Sequence, residues 1–149
     1  MTTFFWVLLA TLLFIGGQML LLRPSTRERE LAALREAAKK EGFHPQVIPV
    51  PDWLRQIKSG MIACYSLPLP VRQKLQWRAA READGHWVTL HGDEAVLSRL
   101  SLADDFDTVF AIEVSDNILY LYWTEQRGPE FLPQLKKLAT QCVPPTLNS

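Results

Sequence analysis

The longest uninterrupted apolar stretch comes first: residues 4–22, FFWVLLATLLFIGGQMLLL, carry no charged side chain. At about 1.5 Å of rise per residue, a helix of that length spans roughly 28 Å, close to the ~30 Å hydrocarbon core of a bilayer. A transmembrane helix is therefore expected over 4–22, behind a short stub at 1–3. Phe4, Phe5 and Trp6 fall where an interfacial aromatic belt would sit, and Gln18 is the one strongly polar member. A cleaved signal peptide fits less well. Met1-Thr2-Thr3 has no Lys or Arg, the apolar run is long, and no Ala-x-Ala follows it. Gly16-Gly17 has no small-xxx-small companion, so two glycines tolerated in a lipid-facing helix are expected rather than a dimer motif.

The pattern changes at Pro24, where a helix must end or kink. Ser25-Thr26-Arg27-Glu28 has the spacing of a capping box, so a second helix is expected from about Thr26 to Lys40, closed by Gly42. Its apolar positions, Leu31, Leu34, Ala37 and Ala38, form one narrow stripe among Arg, Lys and Glu. Residues 23–42 therefore read as a basic, semi-rigid juxtamembrane stalk.

From 43 to 143 the periodicity is that of a small mixed domain. Phe43 to Ile48 is a short extended segment whose prolines, Pro45 within it and Pro49 just after it, suit an edge strand. Asp52 is placed to cap a short helix ending at Gly60. Met61 to Ser66 reads as a buried strand, and Leu67-Pro68-Leu69-Pro70 as an extended connector. Asp84-Gly85 is a strong two-residue turn signature. Pairing outward from it sets Glu82 against Trp87, Arg81 against Val88 and Ala80 against Thr89. Leu75, Trp77, Ala79, Val88 and Leu90 then face the core, with Arg78, Glu82, Trp87, Thr89 and His91 on the wet face.

A second hairpin, from about Asp107 to Thr124, turns near Asp116-Asn117. It gathers Phe110, Ile112, Val114, Leu119, Leu121 and Trp123 on one apolar face, and Val109, Ala111, Glu113, Tyr120 and Tyr122 on the other. A short helix is expected within Asp93 to Leu102. A last helix, about Glu130 to Cys142, has Phe131, Leu135, Leu138 and Cys142 at helical spacing. The fold class expected is α+β, with about five mostly antiparallel strands and two or three helices, ending in a loose tail at 144–149.

Charge adds orientation. Sixteen basic residues balance sixteen acidic ones, so no molecule-wide field recruits nucleic acid. The side before the apolar run has no basic side chain, whereas Arg23, Arg27, Arg29, Arg35, Lys39 and Lys40 follow it closely. The positive-inside rule then places the domain in the cytoplasm of a single-pass inner (plasma) membrane protein, with its N-terminus outside. Arg23, Arg27 and Arg29 are the residues expected beside the headgroups. Cys64 and Cys142, without any CxxC, read as two free thiols in a reducing compartment.

Candidate chemistry is sparse. His86 and His91 lie five apart on one strand, so they point to opposite faces. His91-Gly92-Asp93-Glu94 has no metal-ligand spacing and reads as a solvated turn. Asp104-Asp105-Phe106-Asp107 lacks the alternation of an EF-hand loop. No G-x-S-x-G, G-x-G-x-x-G or Walker pattern occurs. Arg72, Lys74, Arg78 and Arg81 form a basic stretch offset by nearby acids, so nucleic acid is not an expected partner. No cofactor and no metal are expected.

An anchored domain with a polar stalk and an aromatic-bearing sheet reads most economically as an interaction module, an accessory or assembly subunit of a membrane complex. The layout is similar to that of small accessory subunits of the Sec translocase. That likeness covers organisation and implies no site residue. Tyr120, Tyr122 and Trp87 are the residues expected at a partner surface, since exposed tyrosine and tryptophan are enriched at interfaces. A membrane-tethered small-ligand sensor is the alternative, followed by an enzyme or an envelope binding protein. His91, Asp93 and Glu94 converging on Cys64 or Cys142 is the pattern that would favour the enzyme reading.

Overall fold

A computed structural model of the chain describes residues 1–54, 56–57, 60–71, 74–100, 102 and 106–143. The tail at 144–149, Asp104 and Asp105 of the acidic loop and Arg72 of the basic stretch lie outside the described residues. The chain forms two compact units, Met1–Ala32 and Ala33–Ser149.

The first unit contains α1, Thr2–Leu21, a helix with no buried residue that is long and apolar enough to cross a membrane. It starts two residues earlier than the apolar run suggests, because Thr2 and Thr3 join its first turn. Helix α2, Thr26–Lys40, begins with the expected reciprocal box: the Glu28 amide donates to Ser25 Oγ at 3.2 Å, and the Ser25 amide donates to Glu28 Oε2 at 2.8 Å. It ends in a Schellman motif, where Gly42 takes φ +94° and the Phe43 amide reaches the Ala38 carbonyl at 3.0 Å. The second half of α2 differs from a free stalk. Leu34 and Ala38 are buried in the domain core, so the helix from Ala33 onward is part of the folded unit.

The domain is an α+β fold built on one antiparallel sheet of six strands, not five. The strands are β1 His44–Pro49, β2 Met61–Pro68, β3 Gln76–Arg81, β4 Trp87–His91, β5 Val109–Ser115 and β6 Ile118–Trp123, in spatial order β1-β2-β6-β5-β3-β4. The edge strand β1 carries Pro45 and Pro49, as an edge tolerates. Strand β2 runs on through Pro68, taking in half of the expected connector.

The Asp116-Asn117 turn is as expected: both residues take positive φ, +50° and +65°, between the paired Ser115 and Ile118. The other hairpin is displaced by one residue. Its loop has three residues, Ala83, Asp84 and Gly85, because Glu82 rather than Ala83 pairs with His86 and Gly85 closes the turn at φ +91°. Arg81 therefore lies opposite Trp87, Ala80 opposite Val88 and Ala79 opposite Thr89. A one-residue slip exchanges faces. Trp87 moves to the helix-covered side, where it packs against the core, while Val88 and Leu90 move to the other face. A bulge in β5 between Val109 and Ala111 makes a second exchange: Val109 takes the core face and Phe110 the opposite cluster.

Helices cover one face. Helix α3, Glu94–Arg99, is the short helix expected within Asp93–Leu102 and is capped by Asp93, whose Oδ1 accepts from the Ala95 amide at 2.9 Å. Helix α4, Leu132–Cys142, follows a 3-10 turn at Pro129–Phe131 and buries Leu132, Leu135, Leu138, Ala139 and Cys142. The core centres on the fully buried Trp123, edge-on to Tyr65 at 5.1 Å and beside Phe131 at 5.8 Å. Among the described residues, no helix lies on the other face. The described residues between Val50 and Ile57 make turns instead of the expected helix, and Arg55, Lys58 and Ser59 lie outside the description. Leu54 plugs this layer at 1% exposure, over Ile62, Cys64, Ala80, Ala111 and Tyr122.

Candidate functional site

The turns at 50–57 cover only part of the open face. Beside them, over β3 and β4, lies a groove of about 810 Å³. Ala80, Val88 and Leu90 give it an apolar floor, and Leu90 remains 47% exposed. Trp53 and Arg78 form one wall, with Asp52, Arg81 and Glu82 among the polar residues around it. The floor exists because of the one-residue slip in the β3–β4 hairpin, which turns Val88 and Leu90 to this side.

Glu113 organises the wall. Its Oε1 accepts from Arg78 at 2.7 Å and its Oε2 from the Tyr122 hydroxyl at 2.9 Å. Sheet register makes this possible, since Arg78 and Glu113 are directly paired across β3 and β5. The guanidinium so fixed lies 4.4 Å from the centroid of the Trp53 ring, and Trp53 meets Tyr122 edge-on at 5.3 Å. Burial, then the bond to Glu113, raises the Tyr122 pKa above the ordinary phenol value. Arg81 donates to the Asp107 carbonyl, with its guanidinium 5.8 Å from the Phe110 ring centroid. The surface so built offers an apolar floor, a stacked guanidinium and hydrogen-bonding groups at the rim, which is the chemistry of a binding surface.

The expected site residues are dispersed. Tyr122 is 5% exposed and serves the groove from beneath, so it presents no surface of its own. Tyr120 is half-buried against the same cluster, and Trp87 lies on the opposite face. Arg23 and Arg29 are exposed in the first unit, as is Arg27, which lies 3.9 Å from Glu30. Of the four residues sought around one thiol, Asp93 and Cys142 line one small cavity, whereas His91 and Glu94 are not among its lining residues. Cys64 belongs to the cluster on the other face. Among the described residues, no group of three His, Cys, Asp or Glu is placed to hold a metal.

Burial pushes the Cys64 thiol up to about 11 and the Cys142 thiol up to about 12. Both are then protonated and poor nucleophiles at neutral pH. Neither should react with a maleimide in the native protein, and both should react after denaturation. The same shifts give stability a sign with pH. The unfolded chain loses these protons near the ordinary thiol value of 9.0 and the folded domain near 11 or above. Stability present below about pH 9 should therefore fall as pH rises through about 11, read as a drop in Tm. A Tm unchanged across that window, or fast native labelling, would contradict the burial of both thiols.

A second polar cluster escaped the sequence pattern. Glu125 is 5% exposed, with φ +54°, and takes two bonds from Arg35 on α2, at 2.9 and 2.8 Å. The Tyr65 hydroxyl donates to it at 2.6 Å. The bond to Glu125 raises the Arg35 pKa against the opposing effect of burial. This cluster ties the second half of α2 to the end of β6. Glu113 left a trace in the sequence, as the one charge inside the strand VFAIEVS. Glu125, just past a strand end, left none.

The architecture defines the class: an α+β domain with a six-stranded antiparallel sheet, carried behind a long apolar helix. No known protein family, curated protein or solved structure matches the chain.

Proposed function

We propose that this is a membrane-anchored interaction module, an accessory subunit that docks a protein partner in the groove over β3 and β4. Helix α1 serves as the anchor in the inner membrane, with Arg23, Arg27, Arg29 and the domain on the cytoplasmic side. The observation that carries the reading is the groove itself: an apolar floor left open on a sheet whose other face is covered by helices, bordered by Arg78 stacked on Trp53. Buried aromatic and arginine anchors of this kind concentrate binding energy at interfaces.

The test is site-specific photo-crosslinking in native membranes. A photoreactive residue replacing Gln56, at the groove, should give one discrete protein adduct, and Trp53→Ala should reduce it. The same residue at Lys137, exposed on α4, should give none. Equal adducts at both positions would refute the groove as a docking site. A small-ligand sensor is the second reading, favoured by a volume within the ~300–1,000 Å³ of ligand pockets. It predicts a small mass increment at Gln56 in place of a protein adduct.

A further inference from the structure

The two edges of the sheet differ. Strand β1 carries Pro45 and Pro49, which have no N–H to offer a further strand. Strand β4, Trp-Val-Thr-Leu-His, has neither proline nor lysine, two usual guards of an edge, and no described strand pairs with its outer side. The Glu82 amide donates to the His86 carbonyl at 2.7 Å, and Ala80 lies opposite Val88, so His86 and Val88 turn their backbone groups to β3. Alternation then aims the N–H and C=O of Trp87 and Thr89 away from the sheet. The bulge in this pair lies beyond Thr89 and leaves both positions regular.

Open space flanks this edge on both faces. On one side is the groove, with Val88 and Leu90 in its floor. On the other, an open cleft of about 430 Å³ lies between β4 and α3, lined by Trp87, Thr89 and Leu97 among others. A strand laid beside β4 sends alternate side chains to the two.

Charge says which strand. From Glu82 to Ser98 the chain holds four acidic residues, Glu82, Asp84, Asp93 and Glu94, and no Lys or Arg. Two of them stand at each end of β4. The first cations on either side are Arg81, which donates to the Asp107 carbonyl, and Arg99, at the far end of α3. A second copy of the chain is the wrong occupant, because a second β4 paired in either direction sets acid beside acid.

We propose that β4 accepts an extended segment of a partner protein by strand addition, a segment with alternating apolar side chains between basic ends. This deepens the docking reading above and rests on it, since one row of the segment's side chains enters the groove.

The probe is the peptide Lys-Thr-Val-Thr-Val-Thr-Lys with blocked ends, added to the nitrogen-15 labelled full chain in detergent micelles. The amide resonances of Trp87 and Thr89 should shift saturably, and their hydrogen exchange should slow by about tenfold or more. Methylating the backbone nitrogens of one alternate set of peptide residues removes the N–H groups aimed at β4 and should abolish binding. Methylating the other set should leave affinity within about threefold. A peptide ended in glutamate should bind about tenfold more weakly or worse. Thr89→Pro removes an outward N–H and no bond to β3, so it should weaken both peptide binding and the Gln56 adduct. If that variant does not fold, the methylated peptides still decide. No saturable shift, equal effects of the two methylations, or equal binding of the glutamate-ended peptide would each overturn strand addition. If the Gln56 adduct still forms, that failure leaves the docking reading standing; if the adduct is absent as well, both fall.

Discussion

Replacing Leu9 and Leu13 together by arginine should move the protein from the carbonate-washed membrane pellet to the soluble fraction. Both residues lie near the middle of α1, a helix in which no residue is buried in protein, so all of its apolar surface is available to lipid. An arginine near a helix centre costs about 2.5–3.5 kcal/mol of insertion, and two on one face cost about 5–7 kcal/mol, enough to abolish stable insertion. The packed unit from Ala33 onward contains neither residue, so its circular dichroism should be unchanged. A doubly substituted protein that stays in the pellet would sink the anchor assignment. The proposed orientation has its own readout. Lys137→Cys, at an exposed position, should react with an impermeant maleimide only after the cells are opened, and labelling in intact cells would put the domain outside.

Arg35→Ala should destabilise the domain by about 2 kcal/mol. The substitution leaves the Glu125 carboxylate, 5% exposed, with the Tyr65 hydroxyl but without its two bonds from the guanidinium. Breaking a fully buried pair from one side costs about 3–5 kcal/mol. The Arg35 side chain is 35% exposed, so water screens part of the loss and the lower figure applies. Glu125→Gln should cost less, since the amide oxygen still accepts from Tyr65 and the charge that loses its partner, on Arg35, is 35% exposed to water. Arg35→Met combined with Glu125→Leu should recover much of the single-variant loss, because neither member is left unpaired. Urea unfolding measures each step. If Arg35→Ala unfolds at the wild-type midpoint, the pair is a surface contact without structural weight, and the second half of α2 is held by its apolar contacts at Leu34, Ala37 and Ala38.

These two predictions differ in how far the sequence alone could have made them. The long apolar helix was legible residue by residue, because a membrane-length apolar run depends on composition and length and on no distant partner. The same holds for the Ser25–Glu28 capping box, the Gly42 terminus and the Asp116-Asn117 turn, all set within a few residues. The candidate groove was not legible. It depends on whether two or three residues form the turn before His86. The dipeptide Asp84-Gly85 suits either loop, and the one-residue difference sent Trp87 into the core side and Val88 and Leu90 to the groove floor. The bulge at Val109 and Ala111 reversed Phe110 in the same way.

The three residues expected at a partner surface are dispersed, and Tyr122 is buried, for a related reason. Tyr120 and Tyr122 were placed on the correct face of β6, but alternation gives a face and not what covers it. The cover comes from residues about seventy positions earlier, where Trp53 and Leu54 lie over Tyr122 and join it to Glu113 and Arg78. By itself, the sequence determined the apolar helix, the helix caps, the tight turn of the second hairpin and the α+β class, since each follows from short-range periodicity and local hydrogen bonding. Only the tertiary structure decided the sixth strand's place in the sheet, the Arg35–Glu125 and Arg78–Glu113 pairs, the burial of both thiols and the position of the groove. Those follow from register and from contacts between residues far apart in the chain, which local pattern does not encode.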